Sequence, residues 1–203
     1  MIYDISQPLL ESVVFPGNTA PKATPVMRIA NGDPCNLTDL TLCVHNGTHT
    51  DAPLHFVAGG KGIGNVALHR FIGPAYVCGH EGDVTAQDAR SMLREAARCR
   101  PGAEKRLLIR GNATVTLEAA EEFARAGIEL LGNESQTVGP ESAPRPVHRV
   151  LLGKEVVLLE GIRLSHVPDG AYLLNCAPLN LSETDGAPCR AVLLDARYLP
   201  PEE

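Results

Sequence analysis

The chain has 203 residues, with 18 Lys and Arg against 24 Asp and Glu, for a formal net charge of −6. That length predicts one domain, residues 1–203, with enough interior to hold together without covalent staples. With 44% hydrophobic and 21% charged residues, wholesale disorder is excluded. The acidic balance and the 4% of aromatic residues, none of them Trp, argue against nucleic acid, which wants a basic stripe and stacking rings. No apolar run reaches the roughly 18 residues of a membrane span. Met1-Ile2-Tyr3-Asp4-Ile5 has neither the basic start nor the apolar stretch of a secretory signal, so a cytoplasmic location is expected. The six cysteines, at 35, 43, 78, 99, 176 and 189, form no C-x-x-C and read as buried free thiols.

In chain order, short apolar or β-branched runs bounded by Gly, Pro, Asn or Asp predict strands at Met1–Ser6, Val26–Ala30, Leu40–Val44 and Ala75–Gly79. Further strands are predicted at Leu107–Arg110, Ile128–Leu131, Val156–Leu159, Tyr172–Cys176 and Arg190–Leu194. A helix is predicted from Thr85, with Asp88 completing a capping box, to about Arg98. A second follows Thr116 and stops at Gly127, and a short third begins near Pro146 and ends at Gly153. Strands outnumber helices and interleave with them, which predicts a mixed α/β domain rather than a simple doubly wound sheet.

Three of the seven histidines, His45, His49 and His55, fall within eleven residues, where even scattering would place about 0.4. Gly47 and Pro53 oppose a regular helix there. A straight strand would hold His45 and Asp51 roughly 20 Å apart, whereas His and Asp bind zinc at about 2.0–2.2 Å. If these side chains share an ion, the chain must curl back after the Leu40–Val44 strand, and Gly47 and Pro53 suit such a curl. The alternative is a polar surface loop with coincidental histidines. Four candidate ligands just after a strand expected to be buried favour a zinc-type site, and three ligands from one loop leave a coordination position open to water.

The stretch His45-x-Gly47-Thr48-His49-x-Asp51-x-Pro53-x-His55-Phe56 resembles the H-x-G-T-H-x-D-x-P-x-H-F signature of the metal-dependent cyclase family, which includes bacterial kynurenine formamidase. Phe15-Pro16-Gly17-Asn18 is similar to the family's N-terminal turn, which often carries Trp where this chain has Phe15. Pro146-Val147-His148 through Gly153, followed by Glu160-Gly161, resembles its second metal-binding half, and Asp185 to Ala191 its closing segment. The likeness spans essentially the whole chain. It implies a swivelling β/β/α domain, assembled as a homodimer or homotetramer. It also implies one or two divalent ions, zinc or manganese, held by His45, His49, Asp51, His148 and Glu160, with His55 as acid/base. The residues themselves support the remote pair unevenly. His148 falls in the first turn of the third helix, whereas Glu160 on its own pattern reads as an exposed residue beside Gly161.

The activity implied is hydrolysis of an aryl formamide, N-formylkynurenine or similar, in tryptophan catabolism, by water activated at the metal. His55 would protonate the leaving nitrogen. A cyclic amide such as isatin, or another small amide or ester, is the nearby alternative; a non-catalytic metal-binding protein on the same scaffold is the distant one. Phe15, Phe56 and Met27 are candidates for an aromatic or apolar wall, with ordinary core as their alternative. Where the family often has D-x-x-S-x-D, this chain has Asn133 to Gly139, leaving Glu134 and Thr137 as the polar residues available to the pocket. Gly59-Gly60-Lys61-Gly62-Ile63-Gly64 lacks the G-K-[ST] ending of a phosphate loop and reads as a flexible lid. His69, His80 and His166 lack partners at ligand spacing and read as structural.

Overall fold

The computed structural model describes residues 1–195 and 198. Its principal element is a nine-stranded mixed sheet, and the four central strands are β5 (Ile72–Gly79), β7 (Arg106–Arg110), β9 (Leu130–Asn133) and β10 (Val157–Glu160), all mutually parallel. Beside β5 run β11 (Gly170–Asn175), β13 (Val192–Leu194) and β1 (Ile2–Asp4), each antiparallel to the strand before it. Beside β10 run β4 (His49–Asp51), antiparallel to it, and then β12 (Gly186–Pro188), antiparallel to β4. Two small pairings stand apart, β2 (Lys22–Met27) with β3 (Leu37–Thr41), and β6 (Gly82–Val84) with β8 (Ala113–Val115).

The central strands read as continuous apolar runs because both of their faces are covered. Tyr76, Leu107, Ile109, Leu131 and Leu158 face a core closed by α1 (Ala86–Cys99), α2 (Leu117–Ala126) and α3 (Arg145–Leu152). Val77, Leu108, Leu130, Val157 and Leu159 face a second core with Ile5, Ile63, Phe71, Ile162, Leu174 and Leu193. The alternation is the two-residue period of a strand.

The helices start and stop where their end chemistry dictates. Thr85 and Asp88 form a reciprocal capping box on α1. Thr116 caps α2, and Gly127 ends it in the left-handed conformation. Pro146 occupies the first turn of α3. Among the described residues no helix is long and apolar enough to cross a membrane. The mixed α/β domain predicted from the pattern of strands and helices is found, in the swivelling β/β/α form that the family resemblance implies.

Several local expectations need correction. The predicted Val26–Ala30 strand is displaced to Lys22–Met27, and Ile29–Asn31 forms a 3₁₀ turn instead. The strand predicted at Leu40–Val44 is Leu37–Thr41, and it is exposed along its whole length rather than buried. It belongs to a two-stranded ribbon lying outside both cores, so its β-branched and apolar residues do not report burial. The glycine-rich segment is not a free lid. Lys61 O accepts from Leu54 N, Ile63 N donates to Thr184 O, Gly64 N donates to Ser182 O, and Ile63 is buried. All six cysteines are free, but Cys35 and Cys99 are exposed rather than buried.

At the end of β10, Gly161 has φ of +68°, and a Cβ there would lie 2.5 Å from Gln7 Nε2 and 2.7 Å from Gly47 O. Its carbonyl accepts from Thr48 Oγ1 (2.7 Å) and Gln7 Nε2 (3.0 Å). The turn after Glu160 is thereby bound to the turn before His49. Gly161→Ala is expected to lower stability by about 1–3 kcal/mol, the range for a strained backbone position, with added cost from the clash. Urea unfolding of the two proteins measures it.

Candidate metal centre

The segment His45 to Phe56 resolves the spacing problem with one turn and one very short strand. Gly47 adopts φ of +66° and reverses the chain, and β4 then runs for only three residues. Within β4, His49 and Asp51 are two apart and share a face. The register with β10 sets Glu160 directly opposite His49, and Leu158 opposite Asp51. Glu160 is the last residue of a parallel strand, at the carboxyl end where α/β sheets characteristically bind ligands. It is 3% exposed, not the surface residue its own pattern suggests. The α3 helix brings in His148, also buried.

The side chains converge. His49 Nε2 lies 3.4 Å from Asp51 Oδ1 and 3.5 Å from Glu160 Oε2. His148 Nε2 lies 3.2 Å from Glu160 Oε1 and 3.6 Å from Asp51 Oδ2. His45 Nδ1 lies 2.9 Å from Asp51 Oδ1, and His55 Nε2 4.0 Å from Asp51 Oδ2. All four histidines named from the sequence therefore lie within 4.0 Å of Asp51, and His49 and His148 lie as close to Glu160.

Two of the rings are held in one orientation by backbone carbonyls. His49 Nδ1 donates to Gly47 O at 3.0 Å, and His148 Nδ1 donates to Pro144 O at 2.9 Å. Each then turns an Nε2 atom toward the carboxylates, the arrangement that readies imidazole as a ligand. Val138 N donates to Glu160 Oε1 at 2.8 Å. His49 Nε2 and Asp51 Oδ2 are buried without any hydrogen-bond partner. Buried nitrogen and carboxylate atoms are seldom left so, and a divalent cation would satisfy both. The sets His49/Asp51/Glu160 and His45/Asp51/His55 each bring a ligand atom from every member within 4.8 Å of the others. The residues fit a borderline-soft ion with mixed nitrogen and oxygen ligands.

Charge reinforces the fit. Burial opposes a proton on His49, but the adjacent Asp51 and Glu160 carboxylates push its pKa up to about 10. His45 and His148 are raised in the same way against their own burial, by Asp51 and by Glu160 respectively. Burial works against ionised Asp51, yet His45 and His49 hold it well below the usual carboxylate range. Burial and the neighbouring Asp51 both work against ionised Glu160, but His148 and His49 hold it below its ordinary value. His55 moves the other way. Its burial outweighs the nearby carboxylates, lowers its pKa and keeps it neutral.

A cavity of 180 Å³ opens onto this cluster, lined by His45, His49, His55, His148 and Glu160 together with Phe15, Asn18, Phe56, Gln136, Thr137 and Pro144. Phe15 and Phe56 thus stand where a wall was expected. Glu134 does not. Its two oxygens accept from Gly111 N at 2.7 Å and Leu164 N at 2.8 Å, and it lines a separate polar hollow with Glu81 and Arg110. Two backbone donors claim the carboxylate, so it ties loops together instead of meeting a substrate. Met27 lies in the outer ribbon with its sulfur 3.9 Å from Cys35 Sγ, and it is not among the residues lining the cavity. His69, His80 and His166 stay outside the cluster; the His80 ring bonds to Asp83 O and the His166 ring packs near Tyr3. A larger hollow between α2 and α3, lined by Arg125, Arg149 and Lys154, is an open groove with no converging ligands.

Sequence reasoning missed Asp185, whose Oδ2 lies 2.9 Å from His45 Nε2 and 3.1 Å from His55 Nδ1. It also missed Asn18 and Gln136 as lining residues. The available signal for Asp185 was its place at the head of the closing segment, directly before β12.

Residues 3–140 match the family described as "Putative cyclase". The chain belongs to that family. Two solved structures are 26% identical to it. One is a potential metal-dependent hydrolase with cyclase activity, at a TM-score of 0.78 over 95% of this chain and 96% of that one. The other is a predicted metal-dependent hydrolase from Bacillus stearothermophilus, at 0.77 over 95% and 97%. An isatin hydrolase bound to the product analogue thioisatinate shares the fold, at a TM-score of 0.81 and 20% identity over 96% of this chain and 92% of that one.

With His49 protonated up to about pH 10 in the metal-free protein, an ion entering at pH 7.5 must displace that proton. Calorimetric titration with zinc in buffers of different ionisation enthalpy is expected to show net release of at least about one proton per ion. In the metal-free protein the raised His49 pKa contributes stability that is complete below about 6.5 and is lost as pH rises through about 10. The melting temperature should therefore fall across that window from this cause, and bound metal should flatten the fall.

Proposed function

We propose that this chain is a metal-dependent hydrolase of small aryl amides, with an aryl formamide of the N-formylkynurenine type as its substrate class. The observation that carries the reading is the convergence of three imidazoles and two buried carboxylates, with His49 Nε2 and Asp51 Oδ2 lacking any hydrogen-bond partner, at a cavity walled by Phe15 and Phe56. The likeness at 26% identity to one structure described as a potential and another as a predicted metal-dependent hydrolase supports the hydrolase class. His45, His49, Asp51, His148 and Glu160 would hold the ion, zinc or manganese. Such an ion supplies a water acidic enough to attack at neutral pH and polarises the carbonyl.

The protein's own groups do the rest. Phe15 and Phe56 offer apolar ring faces to a flat aryl group and exclude water around it. His55, kept neutral by burial, presents Nε2 toward Asp51 and the cavity. It takes a proton from the attacking water as the oxygen–carbon bond forms. It returns that proton to nitrogen as the carbon–nitrogen bond breaks, so the amine leaves neutral and the acyl group departs as a carboxylic acid that then ionises.

A specific observation favours a second reading. None of the described residues lining the cavity is Lys or Arg, and its volume is 180 Å³. The amino-acid end of N-formylkynurenine carries a carboxylate, which would find no cationic partner there. A small uncharged cyclic amide such as isatin asks for none. Assembly as a homodimer or homotetramer belongs to the same proposal.

Turnover of formanilide, N-formylkynurenine and isatin with zinc and with manganese separates the readings, and absence of turnover on all three by metal-loaded protein would overturn the aryl-amide assignment. His55→Ala is expected to retain the metal and lose about 10²- to 10⁴-fold in kcat. Loss of the metal together with activity would make His55 a ligand instead. Asp51→Asn is expected to lower metal occupancy, because a neutral amide oxygen is a poorer ligand than a carboxylate. Elemental analysis of the two variants measures both effects.

A further inference from the structure

We infer that Asp185 is a positioning residue that sets two histidines at once, turning Nδ1 of His45 and Nε2 of His55 toward Asp51 by holding the opposite nitrogen of each ring on a single carboxylate oxygen. The inference rests on the reading of His55 as the proton carrier.

An ionised carboxylate only accepts hydrogen bonds. Asp185 Oδ2 lies 2.9 Å from His45 Nε2 and 3.1 Å from His55 Nδ1, so both of those nitrogens must carry hydrogen. The remaining nitrogens are then the ones facing the ligand cluster. They are His45 Nδ1, which by the same count donates to Asp51 Oδ1 at 2.9 Å in the metal-free protein, and His55 Nε2, which at 4.0 Å from Asp51 Oδ2 makes no hydrogen bond to it and is left free to accept a proton. The two rings lie nearly against each other, with centroids 4.1 Å apart and planes 33° apart. One anion can therefore reach both edges, and rotation of either ring would break its bond to Asp185.

His49 and His148 obtain the same service from the backbone carbonyls of Gly47 and Pro144. His45 and His55 have no such carbonyl among their hydrogen bonds, and Asp185 takes its place. The residue is itself firmly placed. Its backbone carbonyl accepts from Ala52 N at 2.9 Å, the preceding Thr184 accepts from Ile63 N at 2.8 Å, and the following Gly186 pairs with Asp51 across β4 and β12. Its side chain is 42% exposed, against 1% for Asp51. Water thus solvates an anion that touches only the outward edges of the rings, and Asp185 belongs to neither of the candidate ligand sets.

The test compares Asp185→Ala and Asp185→Asn with the native protein by two readouts independent of turnover. The first is the ¹⁵N spectrum of the histidine rings in metal-free protein, which reports the nitrogen that carries hydrogen. The second is zinc affinity measured by competition with a chelator. For Asp185→Ala the His55 Nδ1–H signature should disappear, and zinc affinity should fall about 10- to 100-fold. In kinetics kcat should fall at least as far, with KM nearly unchanged. Asp185→Asn keeps an accepting oxygen, so it should restore the Nδ1–H signature and part of the affinity. Native ring spectra and native zinc affinity in Asp185→Ala would overturn the inference. Should that variant fail to fold, native zinc affinity in Asp185→Asn would overturn it equally. Failure of the native protein to hydrolyse any amide would remove the functional reading but leave the ring spectra to decide the role of Asp185.

Discussion

Two carboxylates that cannot stay unpaired govern this structure. Asp51 and Glu160 are almost wholly buried and share the same imidazole neighbours. Removing an ion from water costs several kcal/mol even after relaxation, and two like charges side by side cost more. The surrounding protein answers with three histidines that either take protons or share a cation. It leaves His49 Nε2 and Asp51 Oδ2 with no other partner. A site that is costly without a bound cation is well suited to retain one.

The scaffold follows from that constraint. Glu160 must sit at the end of a rigid strand, and β10 is buried on both faces. Asp51 and His49 must share a face, which a three-residue strand hydrogen-bonded on both sides provides. The turns flanking these strands are tied through Gly161, Thr48 and Gln7, so the two halves of the cluster are bonded directly to each other. His148 comes from a helix whose first turn lends it a carbonyl. Most of the rings are fixed by groups that do not themselves reach the centre. Such support is what holds ligands and acid/base groups to the small tolerances that chemistry needs.

Much of the site was legible because its residues cluster in sequence. His45, His49, Asp51 and His55 lie on one loop, and their spacing already required a reversal near Gly47. The helix ends were legible as well, since capping at Thr85, Thr116 and Gly127 is local chemistry. Strand positions were read less well where burial was inferred from residue type. The Leu37–Thr41 strand carries β-branched and apolar residues yet lies in an exposed ribbon. Glu134 misled for the opposite reason, because a carboxylate near the site in sequence is turned away by two backbone donors.

By itself, the sequence determined the candidate ligand types, the local turns and caps, and the α/β class, because each depends on residues within a few positions of one another. Only the tertiary structure decided that Glu160 is buried opposite His49, that Glu134 faces elsewhere, and that Asp185 reaches two rings far from it along the chain. Those outcomes depend on strand register and on which backbone donors claim each oxygen. No local pattern encodes them, because the partners meet only when the sheet has formed.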